Sequence, residues 1–183
     1  MTTAGPVPVG KVSFRLSLCV AVLAAIAAAT GLLWPAAGGS PLELVSVRGE
    51  PVTLFGHGLY RHDSLFFGAG FLAQNFVTLV LAVPLLIVSA LQSRHGSITW
   101  SAIRLAPVAF ILYVYATMAL GAFYNELFLV YVASFSASLF TLILASRSIR
   151  SMLEPTWSQG ARSAPRRGPA ILLVVSGMFT LFV

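Results

Sequence analysis

The sequence predicts an all-α integral membrane protein: a bundle of four transmembrane helices, a short fifth hydrophobic segment that is either truncated or re-entrant, and a small extracytoplasmic hairpin loop. Of the 183 residues, 58% are hydrophobic and 9% are charged, whereas soluble domains have about 45–50% and 25%. Four apolar runs reach the roughly 20 residues that a helix needs to cross the hydrocarbon core of a bilayer. These runs are continuous, whereas barrel strands alternate over about 10 residues, so a β-barrel is excluded.

The first span is predicted at residues 14–34, after a cytoplasmic tail at 1–13. Lys11 and Arg15 precede an apolar run, which is also the pattern of a signal peptide, with a small-residue cleavage site near Ala37. The run is longer than the 7–15 residues usual for the apolar region of a signal peptide, so a retained span is the favoured interpretation. Cys19 is the one cysteine, which excludes an intramolecular disulfide.

An extracytoplasmic loop is predicted at 35–64, with a β-hairpin turning at Arg48-Gly49-Glu50-Pro51. Asp63 or Ser64 is expected to cap the second helix, at 65–92. Pro84 is expected to kink this helix. The small residues Gly68, Ala69, Gly70 and Ala73 are expected to let another helix approach closely.

The remaining segments alternate between polar loops and apolar runs. A cytoplasmic loop at 93–104 leads to the third span at 105–124 and the fourth at 127–146. Asn125 and Glu126 make the tight turn between these two spans, where we expect Asn125 to adopt the left-handed conformation. A basic cytoplasmic loop at 147–168 precedes a partial fifth span at 169–183, which at 1.5 Å per residue reaches only about 22 Å.

The distribution of charge predicts a cytoplasmic N-terminus. With that orientation nine basic residues lie inside and two, Arg48 and Arg61, lie outside, as the positive-inside rule requires. Ten arginines against one lysine suggest a bacterial source, and hence the bacterial cytoplasmic (inner) membrane. The net charge of +6 is explained by topology and not by nucleic-acid binding. The basic loop is expected to contact anionic lipid through Arg147, Arg150, Arg162, Arg166 and Arg167.

Polar residues at similar depth in three spans form a predicted layer in the outer half of the bundle. Its members are Gln74, Asn75, Tyr113, Thr117 and Ser134. One reading is that they make interhelical hydrogen bonds. The other is that Gln74 and Asn75 line a cavity open to the outside, as in a small-solute carrier, because an unpaired amide in lipid costs several kcal/mol.

A second polar group is predicted on the outer face. It comprises His57, Arg61, His62, Asp63 and Glu126. The two histidines and two carboxylates are zinc-ligand types, although their spacing is not that of a known motif. Pairing of Arg61 with Asp63 or Glu126, pinning the loop on the helix ends, is the favoured reading. No phosphate-loop, zinc-protease or nucleophile-elbow motif is present, and no catalytic residue or cofactor is predicted.

Several stretches resemble a group of uncharacterised bacterial multi-pass membrane proteins, over roughly residues 40–147. They are Gly58–Ser64 (GLYRHDS), Val77–Leu79, Pro84–Leu86, Tyr124–Leu129 and Ser136–Phe140. The resemblance implies further helices beyond the present sequence and brings no activity. The expected function is a non-enzymatic membrane protein that binds a partner or lipid. A small-solute transporter or its subunit is the first alternative, and a membrane enzyme or metal site on the extracytoplasmic face is the second.

Overall fold

The computed structural model describes residues 9–35 and 42–160, and side chains from Lys11 to Met152 within those ranges. The protein is mostly helical, and four helices are long and apolar enough to cross a membrane. These four candidate spans are Lys11–Leu33, Leu65–Ser93, Ile98–Gly121 and Phe128–Met152. Three sequence predictions lie outside the described residues: cleavage near Ala37, the lipid contact of Arg162, Arg166 and Arg167, and the fifth segment at 169–183.

The chain forms two compact units, Met1–Ile149 and Arg150–Val183. Within the second, only the end of one helix is described. The elements in order are α1 (Val9–Leu33), β1 (Leu42–Val45), β2 (Pro51–Leu54), α2 (Leu65–Val77), a π-helical segment (Thr78–Ala82), α3 (Val83–Ser93), α4 (Ile98–Ile103), α5 (Leu105–Gly121) and α6 (Phe128–Gly160).

The second candidate span begins at a capped turn and passes through the π-helical segment. Ser64 is the N-cap, and its Oγ accepts a hydrogen bond from the Phe67 amide at 3.4 Å. Pro84 has no amide proton, and its ring would crowd the carbonyl four residues earlier in a regular α-helix. The structure widens the helix just before it, so that the Val83 amide bonds to the Thr78 carbonyl. Wide turns of this kind are a known means of relieving such a conflict.

The loop between the first two spans contains the expected hairpin. Strands β1 and β2 pair antiparallel, with Leu42 opposite Leu54 and Val45 opposite Pro51, and Gly49 turns the chain with a φ of 82°. Phe55 follows β2 and covers α2, because a Cβ on Gly68 would lie 2.5 Å from its ring. Gly68 therefore permits close approach of the loop and not of another helix, while a Cβ on Gly70 would meet nothing.

Helix α1 is central in the bundle and packs on α2, the π-helical segment, α3 and α5. Val20, Ala21, Ala24 and Ala27 of this helix are buried in one apolar cluster. The cluster includes large residues of α3 and α5 such as Leu86 and Ile111. Small residues on α1 let the neighbouring backbones come close, which is the usual means of packing helices in lipid.

The turn between α5 and α6 differs from its predicted conformation. Among the described residues no side-chain-bearing residue has a positive φ, so Asn125 is not left-handed. Its side chain makes the turn instead, since Oδ1 accepts from the Leu127 amide at 3.0 Å. Asparagine often bonds the backbone two residues ahead in this way. We call the end of the bundle that carries this turn and the loop 55–64 the hairpin end.

Candidate functional site

A buried hydrogen-bonded cluster, the tyrosine network, lies at the hairpin end of the bundle. It consists of Tyr60 from the loop, Asn75 from α2 and Tyr131 from α6. Asn75 Nδ2 donates to the Tyr60 hydroxyl at 2.7 Å, and the Tyr60 and Tyr131 hydroxyls lie 3.3 Å apart. All three residues are at most 1% exposed. A loop residue thus enters the bundle and links two of its helices.

Two glycines and a carboxylate hold Tyr60 in that position. Gly56 and Gly58 have φ values of 78° and 66°, which glycine adopts without the cost that other residues incur. Asp63 then closes the turn, since its amide donates to the Tyr60 carbonyl at 3.0 Å. Its Oδ1 accepts from the Phe123 amide, beyond α5, at 2.8 Å. Asp63 therefore fixes the loop to the end of the third candidate span.

Burial raises the pKa of two groups in this loop. It raises the pKa of the Asp63 carboxyl, against the opposing hydrogen bond from Phe123 and the nearby His62. It also raises the pKa of the Tyr60 hydroxyl, which outweighs the lowering by its hydrogen bonds to Tyr131 and Asn75. Tyr60 is consequently a neutral hydroxyl that both donates and accepts.

Gly31 and Tyr115 complete the surroundings of the network. A Cβ on Gly31 would lie 2.8 Å from the Tyr60 hydroxyl and closer still to the Asn75 amide, so only glycine fits there. The Tyr115 ring stacks on Tyr131 with centroids 5.9 Å apart. Its hydroxyl donates to the Ala24 carbonyl of α1 at 2.9 Å. Three tyrosines therefore join the loop, α5 and α6 to the central helix.

The residues of the predicted polar layer are only partly brought together. Asn75 and Ser134 are fully buried, whereas Tyr113 is 60% exposed. Gln74 and Thr117 are half-buried, and the Thr117 hydroxyl donates to the Val114 carbonyl of its own helix at 2.7 Å. The inward-facing tyrosine of α5 is Tyr115, two positions after the one that the sequence indicated.

Several polar atoms in this part of the bundle are buried and make no hydrogen bond. They are Asp63 Oδ2, Gln74 Oε1, Asn75 Oδ1, Asn125 Nδ2 and Ser134 Oγ. Buried polar groups normally have a partner, and each exception calls for a reason. Buried polar atoms without a hydrogen bond therefore remain on α2, on α6 and in both connecting loops of the hairpin end.

The predicted outer-face cluster is divided into separate contacts. Arg61 Nη2 lies 3.4 Å from Glu126 Oε1, and Arg61 Nε donates to His62 Nε2 at 3.1 Å. The backbone amide of Glu126 and, to a smaller degree, Arg61 lower the pKa of its carboxyl. His57 packs instead on the Phe55 ring, with centroids 4.1 Å apart. Among the described residues no three potential metal ligands come together.

A lateral groove opens between α2 and α5 near the hairpin end. Its volume is about 340 Å³, and it is lined by Phe67, Phe71, Ala116, Thr117, Leu120 and Gly121. The one hydroxyl in the lining, that of Thr117, is already bonded to its own helix. The groove therefore presents hydrocarbon and aromatic surface and no free hydrogen-bonding side chain.

Comparisons with protein-family models, curated proteins and solved structures find no match. The arrangement of residues must therefore carry the functional argument. Sequence reasoning missed Tyr60, Tyr115, Tyr131 and Gly31, although one pattern would have indicated part of the network. Tyr60 follows Gly56 and Gly58 and precedes the capping residue Ser64.

Proposed function

We propose that the protein is a non-enzymatic multi-pass membrane protein that holds the apolar chain of a lipid in the lateral groove. The observation that carries the proposal is the groove itself, with its two phenylalanines on α2 and its small residues on α5. Its volume is at the lower end of the range of ligand-binding pockets in proteins.

The chemistry of the lining favours an acyl chain over a polar solute. Polar ligands are recognised by a few precisely placed donors and acceptors, and the groove offers none. A flexible hydrocarbon chain needs only apolar contact, and Phe67 and Phe71 supply it.

Retention of lipid after purification tests this proposal. The full chain, extracted in maltoside detergent, is examined by native mass spectrometry for bound phospholipid. Ala116→Phe fills the groove, and Ala133→Phe places the same side chain on an exposed position of α6. We expect Ala116→Phe to reduce retained lipid at least about fivefold and Ala133→Phe to match the wild type.

Two other outcomes would contradict the lipid proposal. Equal lipid retention by the wild type and both variants would show that the groove holds no lipid. Dimers that are lost selectively in Ala116→Phe, with lipid unchanged, would indicate that the groove receives a second protein chain.

We also propose that the chain lies in a bacterial inner membrane, with the N-terminus in the cytoplasm and a fifth segment at 169–183 entering the membrane. The uneven distribution of basic residues supports it. Cys19 is exposed and unpaired, so Cys19→Ser provides a cysteine-free background. In intact cells we expect a membrane-impermeant maleimide to label Val47→Cys in the hairpin and not Gln92→Cys at the end of α3. The reverse pattern would invert the topology.

A small-solute carrier is the second candidate, and the unpaired oxygens of Gln74, Asn75 and Ser134 favour it. A carrier cavity would expose this region to water. Asn75→Cys in the Cys19→Ser background should then react with a water-soluble thiol reagent at a rate comparable to that of Val47→Cys. A rate more than about 100-fold slower would indicate that the region is sealed and that these groups serve packing.

A further inference from the structure

Arg104 is a buried cation at the end of the bundle opposite the hairpin end. It lies between α4 and α5, is 4% exposed, and its Nε is buried without a hydrogen-bond partner. An ion removed from water loses several kcal/mol of solvation unless a counter-ion and hydrogen bonds replace the water. An arginine held in this way requires an explanation.

The described part of the chain provides no counter-ion for Arg104. The carboxylates with described side chains are Glu43, Glu50, Asp63 and Glu126, and all belong to the hairpin, the following loop or the α5–α6 turn. The remaining acid, Glu154, lies outside the described side chains. Glu126 is paired with Arg61, and no described carboxylate pairs with Arg104. An anion that neutralises Arg104 must therefore come from outside the described side chains.

A second unpaired polar group lies at the same level. Helices α1 and α5 run in the same direction, and the Tyr115 hydroxyl bonds to the Ala24 carbonyl. Arg104 lies 11 positions before Tyr115, and Ser13 lies 11 positions before Ala24. Each separation is about 16 Å along a helix. The Ser13 hydroxyl is fully buried and also has no partner. Two unpaired polar groups therefore lie at about the same depth.

Another cation lies at this end of the bundle. Arg94, in the turn after α3, places its guanidinium carbon 4.8 Å from the centroid of the Phe14 ring, and Phe14 is the residue after Ser13. The Arg94 side chain is thus held beside the start of α1, although the residue is exposed. Its contact with the ring limits its freedom without neutralising its charge.

We propose that Arg104 is the anchor of a phosphate-binding site, with Ser13 as a second donor and Arg94 as the outer charge. Guanidinium groups bind phosphate with paired hydrogen bonds and are less strongly hydrated than ammonium groups. Basic pockets between membrane helices bind the head groups of anionic lipids. The phosphate of an anionic lipid, or a soluble phosphate, is the ligand class. The site is independent of the lateral groove, which lies at the other end of α5.

Thermal unfolding of the delipidated full chain in maltoside tests the site. The probes are dioleoyl phosphatidylglycerol, dioleoyl phosphatidylcholine and inorganic phosphate, each in excess. A ligand at about 100 times its dissociation constant should raise the melting temperature of a chain of this size by about 5 °C or more. We expect that rise with phosphatidylglycerol and less than half of it with phosphatidylcholine. An equal rise with inorganic phosphate would assign the site to a soluble anion.

Arg104→Gln and Arg15→Gln are the matched variants, because Arg15 is exposed on α1 at the same end. Without phosphate compounds we expect Arg104→Gln to melt at or above the wild-type temperature, since it removes an uncompensated buried charge. With phosphatidylglycerol it should gain at most about 1 °C, while Arg15→Gln gains as much as the wild type. Arg104→Lys, which keeps the charge and loses the paired geometry, should gain an intermediate amount.

Two results would overturn the proposal. One is no rise in the melting temperature of the wild type with any probe, and the other is an equal rise in Arg104→Gln. If the second came with a lower melting temperature of Arg104→Gln in the absence of phosphate, Arg104 would be a structural residue. If Arg104→Gln does not fold, the Arg104→Lys series decides, because equal rises in Arg104→Lys and wild type would also contradict paired recognition.

Discussion

Replacing Gly31 by alanine sets two effects of opposite sign against each other. In a helix interior alanine is favoured over glycine by about 1 kcal/mol. The new methyl group would, however, lie 2.8 Å from the Tyr60 hydroxyl and nearer still to the Asn75 amide nitrogen. Ordinary contacts of a Cβ are 3.4–4 Å, so both partners must move, and they are themselves joined by a 2.7 Å hydrogen bond.

The magnitude follows from what the displacement breaks. Overpacking a dense interior costs about 1–3 kcal/mol. Moving Tyr60 and Asn75 weakens two hydrogen bonds, each worth about 0.6–1 kcal/mol. Against these costs stands the helix preference of about 1 kcal/mol. We therefore expect Gly31→Ala to lower the free energy of unfolding by about 1–4 kcal/mol.

Gly70 provides the matched control. It is a helical glycine of α2, and a Cβ there would meet nothing within 4 Å. Gly70→Ala should leave stability unchanged or raise it by up to about 1 kcal/mol. Unfolding in mixed maltoside–dodecyl sulfate micelles, followed by tryptophan fluorescence, compares the variants. If Gly31→Ala is as stable as Gly70→Ala, the close packing on Tyr60 and Asn75 is wrong.

Three further predictions concern the loop and α5. Because burial raises the pKa of Asp63, the folded state binds its proton more tightly than the unfolded state does. The resulting stabilisation is fully present below the unfolded-state pKa of about 3.8 and is lost as the pH rises through the pKa of the folded state. The free energy of unfolding of the wild type, relative to that of Asp63→Asn, should therefore fall over that pH interval. Glu126→Gln removes a half-exposed ion pair with Arg61 and should cost less than about 1 kcal/mol, a difference that should vanish in 1 M salt. Tyr115→Phe should lower the free energy of unfolding by about 1 kcal/mol through its lost hydrogen bond, whereas Tyr113→Phe should have no measurable effect. The reverse order in the same unfolding assay would contradict the orientation of α5.

Hydropathy was sufficient to predict the four long helices. An apolar run of about 20 residues has few alternatives in lipid, because every backbone polar group must be bonded within the segment. The hairpin and the Ser64 cap were also predictable, because turn glycines and capping residues act locally. These features depend on residues that are close together in the sequence.

The rotation of each helix about its axis was harder to predict. In a water-soluble helix one face is polar, but α5 is apolar on all sides, so its periodicity carries little information about which face is buried. The Thr117 hydroxyl is satisfied by its own backbone and does not need to face inward. Depth and the four-residue spacing of Tyr113, Thr117 and Gly121 therefore indicate Tyr113 as the inward-facing residue, whereas Tyr115 occupies that position.

The insertion of Tyr60 into the bundle was not predictable either. The contact joins residues 71 positions apart and depends on Gly31, in a helix before the loop. Glycine is needed at position 31 because the side chains of Tyr60 and Asn75 approach its backbone closely. No local pattern in α1 indicates that a side chain from the loop will fill the adjacent space.

The tyrosine network also sets an order of assembly. Asn75 and Tyr60 are 15 residues apart and can meet as soon as the second span is synthesised, which gives the Asn75 amide nitrogen a partner inside the bundle. Tyr131 belongs to the fourth span, 71 positions after Tyr60, and can join only when that span has been made. A variant lacking Asn75 would face its greatest difficulty during synthesis, before the finished protein exists.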